Sequence, residues 1–147
     1  MEITDIQLGK AGEYLVCADL ILKGHVAFPS EQGLSFDVVL AAGGRLYKVQ
    51  VKTTRQPMSV PQRVRTSVKY VFHVRRCGKG GRGSYQKDDV DIFALVALDT
   101  RTIAYMKAAD AKQTMWFLTE GGEPISVKHG ARSKIKHLSD FELEGCL

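Results

Sequence analysis

The chain has 147 residues, of which 44% are hydrophobic and 25% are charged, and its formal net charge is +5. This length and composition are typical of one domain with a hydrophobic core. No apolar run approaches the ~20 residues of a membrane helix, and the N-terminal residues do not resemble a signal peptide, so we expect a cytoplasmic protein with no membrane partner. The three cysteines are widely spaced, which excludes a disulfide framework and a zinc ribbon.

An amphipathic helix is predicted near the N-terminus, over residues 5–23. Asp5 is the expected N-cap and Gly24 the expected stop. The predicted buried stripe contains apolar side chains that recur at helical spacing, namely Val16, Cys17, Leu20 and Ile21.

A β-hairpin is predicted next. After a short extended piece at 25–28, residues 34–41 alternate enough to form a strand, and Gly43-Gly44 is a tight-turn signal. Residues 45–54 alternate clearly, which puts two sets of side chains on opposite faces: Tyr47, Val49 and Val51 on one, and Lys48, Gln50 and Lys52 on the other.

Three further strands are predicted in the second half of the chain. Residues 67–76 alternate, residues 90–98 form the nearly continuous apolar run of a strand buried on both faces, and residues 102–106 follow after a turn. Between the first two of these strands, residues 77–84 predict a flexible, glycine-rich basic loop.

The predicted order of elements, α-β-β-β-(α)-β, indicates an α/β fold with a central mixed β-sheet flanked by helices. We expect one domain over residues 1–147, with its core at about 5–106. Residues 107–147 are expected to form a C-terminal extension available for oligomer contacts. A short helix capped by Asp110 is expected to begin the stretch 108–118.

Positive charge is concentrated in the middle of the chain, in the stretch that we call the positive segment (residues 38–87). This segment contains twelve Lys or Arg and no Asp or Glu, whereas the rest of the chain carries nine basic and sixteen acidic residues. A solvated surface normally mixes the two signs, and a stretch of one sign this long more often faces a polyanion. We therefore expect a nucleic-acid partner.

One carboxylate interrupts the predicted buried stripe of the helix. Glu13 lies three, four and seven residues before Val16, Cys17 and Leu20, so it shares their face. An unpaired buried carboxylate is costly and needs a metal or a base as its partner. The alternative is that Glu13 lies at the edge of the stripe and pairs with Lys10.

A second group of polar residues lies on the predicted hairpin. Asp37 falls on the face opposite Val38, and Gln50 and Lys52 share one face of the next strand. Asp37, Glu13 and the Gln50 carbonyl are oxygen ligands suited to a hard cation such as Mg²⁺, and a lysine beside the metal can orient or deprotonate an attacking water. The alternative is a half-exposed hairpin with an ordinary polar face.

Taken in order, these residues resemble the PD-(D/E)XK nuclease family. The resemblance rests on GKAGEYLVCADLILKGH around Glu13, SFDVVLA around Asp37 and YKVQVKTT around Gln50 and Lys52. It is greatest to the branch that includes group I intron-encoded homing endonucleases, with archaeal Holliday-junction resolvases as more distant kin. It covers residues 9–54 clearly and extends, by strand order, to about residue 106.

The resemblance implies a restriction-endonuclease-like core and roles for single residues. Asp37 matches the central metal-binding aspartate, Lys52 the motif lysine, and Glu13 the helical glutamate of several branches. Gln50 stands where Asp or Glu is commoner, and its amide keeps one oxygen ligand but removes a negative charge. The implied catalytic residues are Glu13, Asp37, Gln50 and Lys52, and the implied ligands of Mg²⁺ or Mn²⁺ are Asp37, Gln50 and Glu13.

The activity implied by the resemblance is Mg²⁺-dependent hydrolysis of phosphodiester bonds in duplex DNA, with site-specific double-strand cleavage. Two cuts need two active sites, so a dimer or tetramer is expected. The alternatives are a structure-specific Holliday-junction resolvase and a catalytically inactive nucleic-acid-binding module on the same fold, the second because of Gln50. The expected DNA contacts are basic side chains of the positive segment: Arg55, Arg63, Arg65, Lys69, Arg75, Arg76, Lys79 and Arg82.

Overall fold

The computed structural model describes residues 2–58, 68–74, 85, 88–119 and 136–147, and the backbone alone of residues 76–78 and 81–83. In chain order its main elements are α1 (Asp5–Leu22), β1 (Val26–Pro29), β2 (Val38–Ala42), β3 (Arg45–Thr54), β4 (Lys69–His73), β5 (Arg76–Gly78), β6 (Gly81–Gly83), β7 (Ile92–Ala97), β8 (Thr102–Lys107) and β9 (Thr114–Leu118). Short 3₁₀ turns lie at Ala108–Asp110, Leu138–Asp140 and Leu143–Gly145. None of these helical segments is long and apolar enough to cross a bilayer.

The central sheet has five strands in the order β1-β2-β3-β7-β8. β3 and β7 run parallel, with Val49 opposite Ile92, and the other neighbouring pairs are antiparallel. The predicted α/β fold with a mixed central sheet is therefore confirmed. Two smaller sheets pair β4 with β9 and β5 with β6.

The central sheet separates two hydrophobic cores, which we call the α1-side core and the β4–β9-side core. Strand β7 contributes to both, since Ile92, Ala94 and Val96 face the α1-side core while Phe93 and Leu95 face the β4–β9-side core. All six residues of β7 are buried. This burial on both faces explains the continuous apolar run in the sequence of the strand.

The C-terminal residues cross one edge of the central sheet. Leu138 is buried in the β4–β9-side core, whereas Leu143 and Cys146 are buried in the α1-side core. Between them, the Phe141 carbonyl accepts the Tyr105 N–H of β8 at 2.9 Å. The crossing segment therefore covers part of the edge strand β8, which would otherwise offer its backbone groups to another chain.

The start of α1 differs from the prediction, because its N-cap is Thr4 and not Asp5. The Thr4 hydroxyl accepts the Gln7 N–H at 3.2 Å, and the Gln7 side chain accepts the Thr4 N–H at 2.9 Å. This capping box satisfies two backbone N–H groups at once. It therefore begins the helix one residue earlier than a cap at Asp5 would.

Strand β2 is shorter than predicted, since it begins at Val38 rather than at residue 34. The Ser30 N–H donates to the Asp37 carbonyl at 2.8 Å, and the Ser30 hydroxyl donates to the Phe36 carbonyl. These bonds hold the preceding residues in a turn, and Leu34 is exposed. The shortening leaves Asp37 just outside the strand.

Two local predictions for the second half of the chain are wrong. The backbone of the predicted loop 77–84 contributes to a short hairpin, β5–β6. The stretch 108–118 holds a single 3₁₀ turn, of which Asp110 is the last residue rather than the cap, followed by β9. β9 pairs with β4, and in the described part of the chain this pair, not a helix, packs on the second face of the sheet. A pairing between strands so distant in sequence leaves no local pattern to detect.

Gly12 of helix α1 lies directly against Thr53 of β3. A Cβ added at this glycine would lie 1.9 Å from Thr53 Oγ1 and 3.1 Å from Thr53 Cβ, so a larger residue fits only if the elements shift. The Thr53 hydroxyl is buried and has no hydrogen-bond partner among the described residues. The absent side chain at Gly12 thus sets the distance between α1 and β3 beside Glu13.

We expect Gly12→Ala to destabilise the fold by about 1–3 kcal/mol, because the added methyl group overpacks the α1–β3 contact. Gly9→Ala is the matched control: nothing lies within 4 Å of a Cβ there, so alanine should stabilise the helix by about 0.5–1 kcal/mol. Urea unfolding followed by circular dichroism measures both free energies. Equal stability of the two variants would contradict the close approach.

Candidate active site

The position of Asp37 follows from a difference in strand length. β2 pairs with β3 from Val38 opposite Val49 onward, and the Asp37 N–H still donates to the Val49 carbonyl at 2.9 Å. β3 continues to Thr54. The next N–H on the same edge of β3, that of Val51, therefore has no residue of β2 opposite it, because β2 starts at Val38. Asp37 Oδ2 accepts this N–H at 2.9 Å. The Asp37 carboxylate therefore accepts the backbone N–H that a longer β2 would have paired.

Gln50 lies directly beside Asp37. Its amide nitrogen donates to Asp37 Oδ2 and, at 3.3 Å, to the Val51 carbonyl. The sequence predicts that Gln50 offers its carbonyl oxygen to a cation. In the structure it is the amide nitrogen, and not the carbonyl oxygen, that faces the Asp37 carboxylate. Rotation by a half-turn about the Cγ–Cδ bond of Gln50 exchanges the amide nitrogen and the carbonyl oxygen, and the energy barrier to this rotation is low.

Lys52 shares a face of β3 with Gln50, as the alternation of the strand predicted. Its side chain is half-buried, and its Nζ lies 5.4 Å from the centroid of the Tyr85 ring. The positive charge of Lys52 is close enough to lower the pKa of the Asp37 carboxyl. Lys52 therefore belongs to the same group as Asp37 and Gln50.

Glu13 comes to this group from helix α1. Its side chain is 18% exposed, and Oε2 pairs with Lys10 Nζ at 2.5 Å, the arrangement that the sequence left as an alternative. Its negative charge raises the pKa of the Asp37 carboxyl, and this electrostatic effect connects Glu13 with the hairpin. Asp37 and Gln50 are thus in contact, Lys52 shares the face of Gln50, and Glu13 acts on Asp37 through its charge. We call these four predicted catalytic residues the candidate site.

Two carboxylates of like charge make this site electrostatically unbalanced. Burial raises the pKa of the Asp37 carboxyl, and the nearby charge of Glu13 raises it further. The Val51 N–H and the charges of Lys52 and Lys10 lower it again, but they do not cancel the effect of burial. A site in which an ionised carboxylate is disfavoured gains from an additional cation.

The donor atoms of the candidate site suit a hard divalent cation only in combination. Among the described residues, no three His, Cys, Asp or Glu side chains are grouped to hold a metal. Asp37 and Glu13 provide carboxylate oxygens, and Asp37 Oδ1 accepts no hydrogen bond from the described part of the chain. With the turned Gln50 carbonyl and water completing the set, these donors fit Mg²⁺ or Mn²⁺, which keep several waters when bound to protein.

The predicted DNA contacts lie mostly outside the described residues. Arg55 is exposed, with one guanidinium nitrogen donating to the Ile3 carbonyl at 2.8 Å, and Lys69 is half-buried with its Nζ 5.8 Å from the centre of the Trp116 ring. Arg76 and Arg82 lie on β5 and β6, whose backbone alone is described. The side chains beyond the described part of the chain are Arg63, Arg65, Arg75 and Lys79.

Two residues near the site were missed by the sequence analysis. Gly12 permits the close approach of α1, and the ring of Tyr85, a residue outside the strands and helices, lies near the Lys52 ammonium group. The glycine carries a signal that was available, because a glycine in a helix interior costs stability unless packing requires it. The tyrosine carries no signal, since its neighbours in sequence have no periodicity.

A mixed sheet with a glutamate on the covering helix, an Asp just before β2 and a Gln-x-Lys pair on β3 is the arrangement of the restriction-endonuclease-like fold. A family model described as PD-(D/E)XK endonuclease matches residues 3–143, so the chain belongs to this family. The resemblance inferred from the motifs is confirmed.

The fold is also that of a solved relative. The chain is similar to the structure of a bacterial homing endonuclease, I-Ssp6803I, with a TM-score of 0.63 and 15% identity over 95% of this chain and 88% of that chain. At this identity, the similarity shows the fold alone. It includes most of the C-terminal part, beyond the range of the sequence resemblance. A comparison with curated proteins gives no match.

We expect Asp37→Asn to stabilise the protein at neutral pH in the absence of divalent ions. Because the folded-state pKa of Asp37 is raised above its ordinary value near 3.8, the folded protein binds the proton more tightly than the unfolded chain. Stability conferred by Asp37 is therefore greatest below that value and falls as the pH rises through the raised pKa. Asparagine avoids this loss and can still accept the Val51 N–H.

Thermal unfolding of both proteins in EDTA, across a pH series from acid to neutral, measures this effect. The advantage of Asp37→Asn in Tm should be largest at neutral pH and should shrink as the pH falls. Asp88→Asn, at an exposed aspartate, is the matched control and should leave Tm nearly unchanged. An advantage that does not vary with pH would contradict the raised pKa.

Proposed function

We propose that this protein is an endonuclease that uses Mg²⁺ or Mn²⁺ to hydrolyse phosphodiester bonds in duplex DNA. The observation that carries the proposal is the candidate site. Its residues Asp37, Gln50 and Lys52 lie where β3 extends past the first residue of β2. Glu13, on α1, acts on Asp37 through its charge. Membership of the PD-(D/E)XK endonuclease family supports the reaction, and the excess charge of the positive segment supports a nucleic-acid substrate.

Each residue of the candidate site has a role in this proposal. Asp37 and Glu13 would hold the metal through their carboxylate oxygens, and Gln50 would offer its carbonyl oxygen if its amide were rotated by a half-turn. A bound divalent ion would provide a water of lowered pKa and offset the charge of the phosphate. Lys52 donates hydrogen bonds that orient the attacking water and stabilise the negative charge that develops on the phosphate oxygens.

We expect Asp37→Ala and Lys52→Ala each to lower DNA cleavage by at least about 10²-fold, the usual cost of losing one preorganised electrostatic group. DNA binding should largely survive in both variants. The assay incubates the protein with plasmid and genomic DNA at low salt, with Mg²⁺ or with EDTA, and follows nicks and linear products. Binding is measured separately by fluorescence anisotropy in Ca²⁺.

The matched control for Lys52→Ala is Lys48→Ala. Lys48 lies on the same face of β3 and is also half-buried, but its Nζ donates to the Asp88 carbonyl. It should keep wild-type cleavage. Full activity of Lys52→Ala, or nicking that persists in EDTA, would overturn the assignment of the site.

Site-specific cleavage in the manner of a homing endonuclease is the form of the activity that we propose. Discrete bands from genomic DNA would support it, whereas preference for four-way junctions over linear duplexes would select a resolvase instead.

Cutting both strands calls for two active sites, so we propose a dimer or a tetramer. Sedimentation of the protein with and without DNA measures the number of subunits, and a strict monomer that makes double-strand breaks would contradict this part.

The positive segment predicts a steep dependence of DNA affinity on salt. Each neutralised phosphate contributes about −0.9 to the slope of log K against log salt concentration, so six contacts give a slope near −5. Arg82→Ala should reduce the magnitude of the slope by about 1, and Lys112→Ala, outside the positive segment, should not change it. Anisotropy titrations between low and physiological salt measure both. A slope near zero would remove the case for a phosphate-binding surface.

One observation favours a second candidate, a nucleic-acid-binding module without catalysis. Gln50 is neutral, and its amide nitrogen rather than its carbonyl oxygen faces the Asp37 carboxylate, where it donates to Oδ2. Calorimetric titration of Mn²⁺ into the wild type and Asp37→Ala separates the candidates. Binding that disappears in the variant supports the nuclease, and no binding to either protein supports the module.

A further inference from the structure

We propose that Tyr85 is a positioning residue for Lys52, holding its ammonium group toward the candidate site. This inference rests on the proposed function of Lys52 and extends it to a residue that the family motif does not contain. Tyr85 belongs to neither a strand nor a helix, and it lies two residues after β6 ends at Gly83.

The contact between the two side chains carries the proposal. Lys52 Nζ lies 5.4 Å from the centroid of the Tyr85 ring, within the ~6 Å range over which an aromatic face attracts a cation. Both side chains are half-buried, so water screens this attraction less than it would at the surface. The aromatic face therefore favours one location for the charge.

The Tyr85 ring packs against the central sheet. It packs edge-to-face on Phe93, with centroids 5.3 Å apart and an interplanar angle of 74°. Phe93 is buried on β7 and lies opposite Gln50 in the parallel ladder between β3 and β7. The Tyr85 ring thus packs on a buried side chain of the central sheet that is the register neighbour of Gln50.

Positioning matters for a lysine more than for the other residues of the site. Its long stem has many rotamers, and holding it in one of them costs conformational entropy. Asp37 is held by the Val51 N–H, and Gln50 by its bond to Asp37. A ring fixed by Phe93 restricts the lysine in a comparable way, without taking a hydrogen-bond donor away from the ammonium group.

The first test is spectroscopic and does not need cleavage. In protein with ¹³C-labelled lysine, the ε-methylene signal of Lys52, assigned by its absence in Lys52→Arg, should be displaced upfield by the ring current. Tyr85→Leu should abolish the displacement and Tyr85→Phe should keep it. A Lys52 signal at the ordinary lysine position in the wild type would overturn the contact and with it the proposal.

The second test is the single-turnover rate of cleavage at saturating DNA. Tyr85→Leu should lower this rate by about threefold to thirtyfold, the range of a partly buried cation–π contact, with DNA affinity unchanged within about twofold. Tyr85→Phe should keep the rate. Loss of rate in Tyr85→Phe equal to that in Tyr85→Leu would assign the effect to the hydroxyl group and overturn the proposal, as would an unchanged rate in Tyr85→Leu.

The matched control is Tyr47→Leu. Tyr47 is also a half-buried tyrosine beside a cation, with Arg45 4.7 Å from its ring centroid, but it lies on the other face of β3. This variant should leave the Lys52 signal and the cleavage rate unchanged. If the wild type cleaves no DNA at all, the proposed function fails while the spectroscopic test still decides whether Tyr85 holds Lys52.

Discussion

The candidate site depends on one hydrogen bond, from the Val51 N–H to the Asp37 carboxylate. It exists because β3 continues after β2 has ended, which leaves backbone groups of an inner strand without a neighbour. A side-chain oxygen satisfies that N–H where a strand would otherwise do so. The same bond fixes Asp37 beside Gln50, and the alternation of β3 then brings Lys52 to the same face. The polar side chains of Asp37, Gln50 and Lys52 thus lie together where the pairing of β2 with β3 stops.

This arrangement places a carboxylate where its charge is poorly stabilised. Burial raises the pKa of Asp37, and Glu13 adds a second negative charge from α1. The distance between α1 and β3 is set at Gly12, where the helix backbone lies against Thr53. The scaffold therefore holds two carboxylates whose like charges act on each other, which favours the binding of a cation and destabilises the fold in its absence.

The rest of the fold gives this group a rigid support. β7 is buried on both faces and pairs with β3 along the residues of the site, and the β4–β9 pair and α1 cover opposite sides of the sheet. Basic residues of the positive segment follow β3 directly in the chain. In this member of the PD-(D/E)XK endonuclease family, a buried core strand thus lies beside the strand that carries Gln50 and Lys52.

The sequence by itself determined the elements whose pattern is local: the helix, the glycine turn, the alternation of β3 and the doubly buried β7. It also placed Gln50 and Lys52 on one face, whereas it predicted Asp37 inside the neighbouring strand, which in fact begins one residue after Asp37. Only the tertiary structure decided that Asp37 bonds to Val51, that β9 pairs with β4, and that Tyr85 lies against Lys52. The physical reason is that periodicity records which face of an element is buried, whereas contacts between distant segments depend on how those faces pack together.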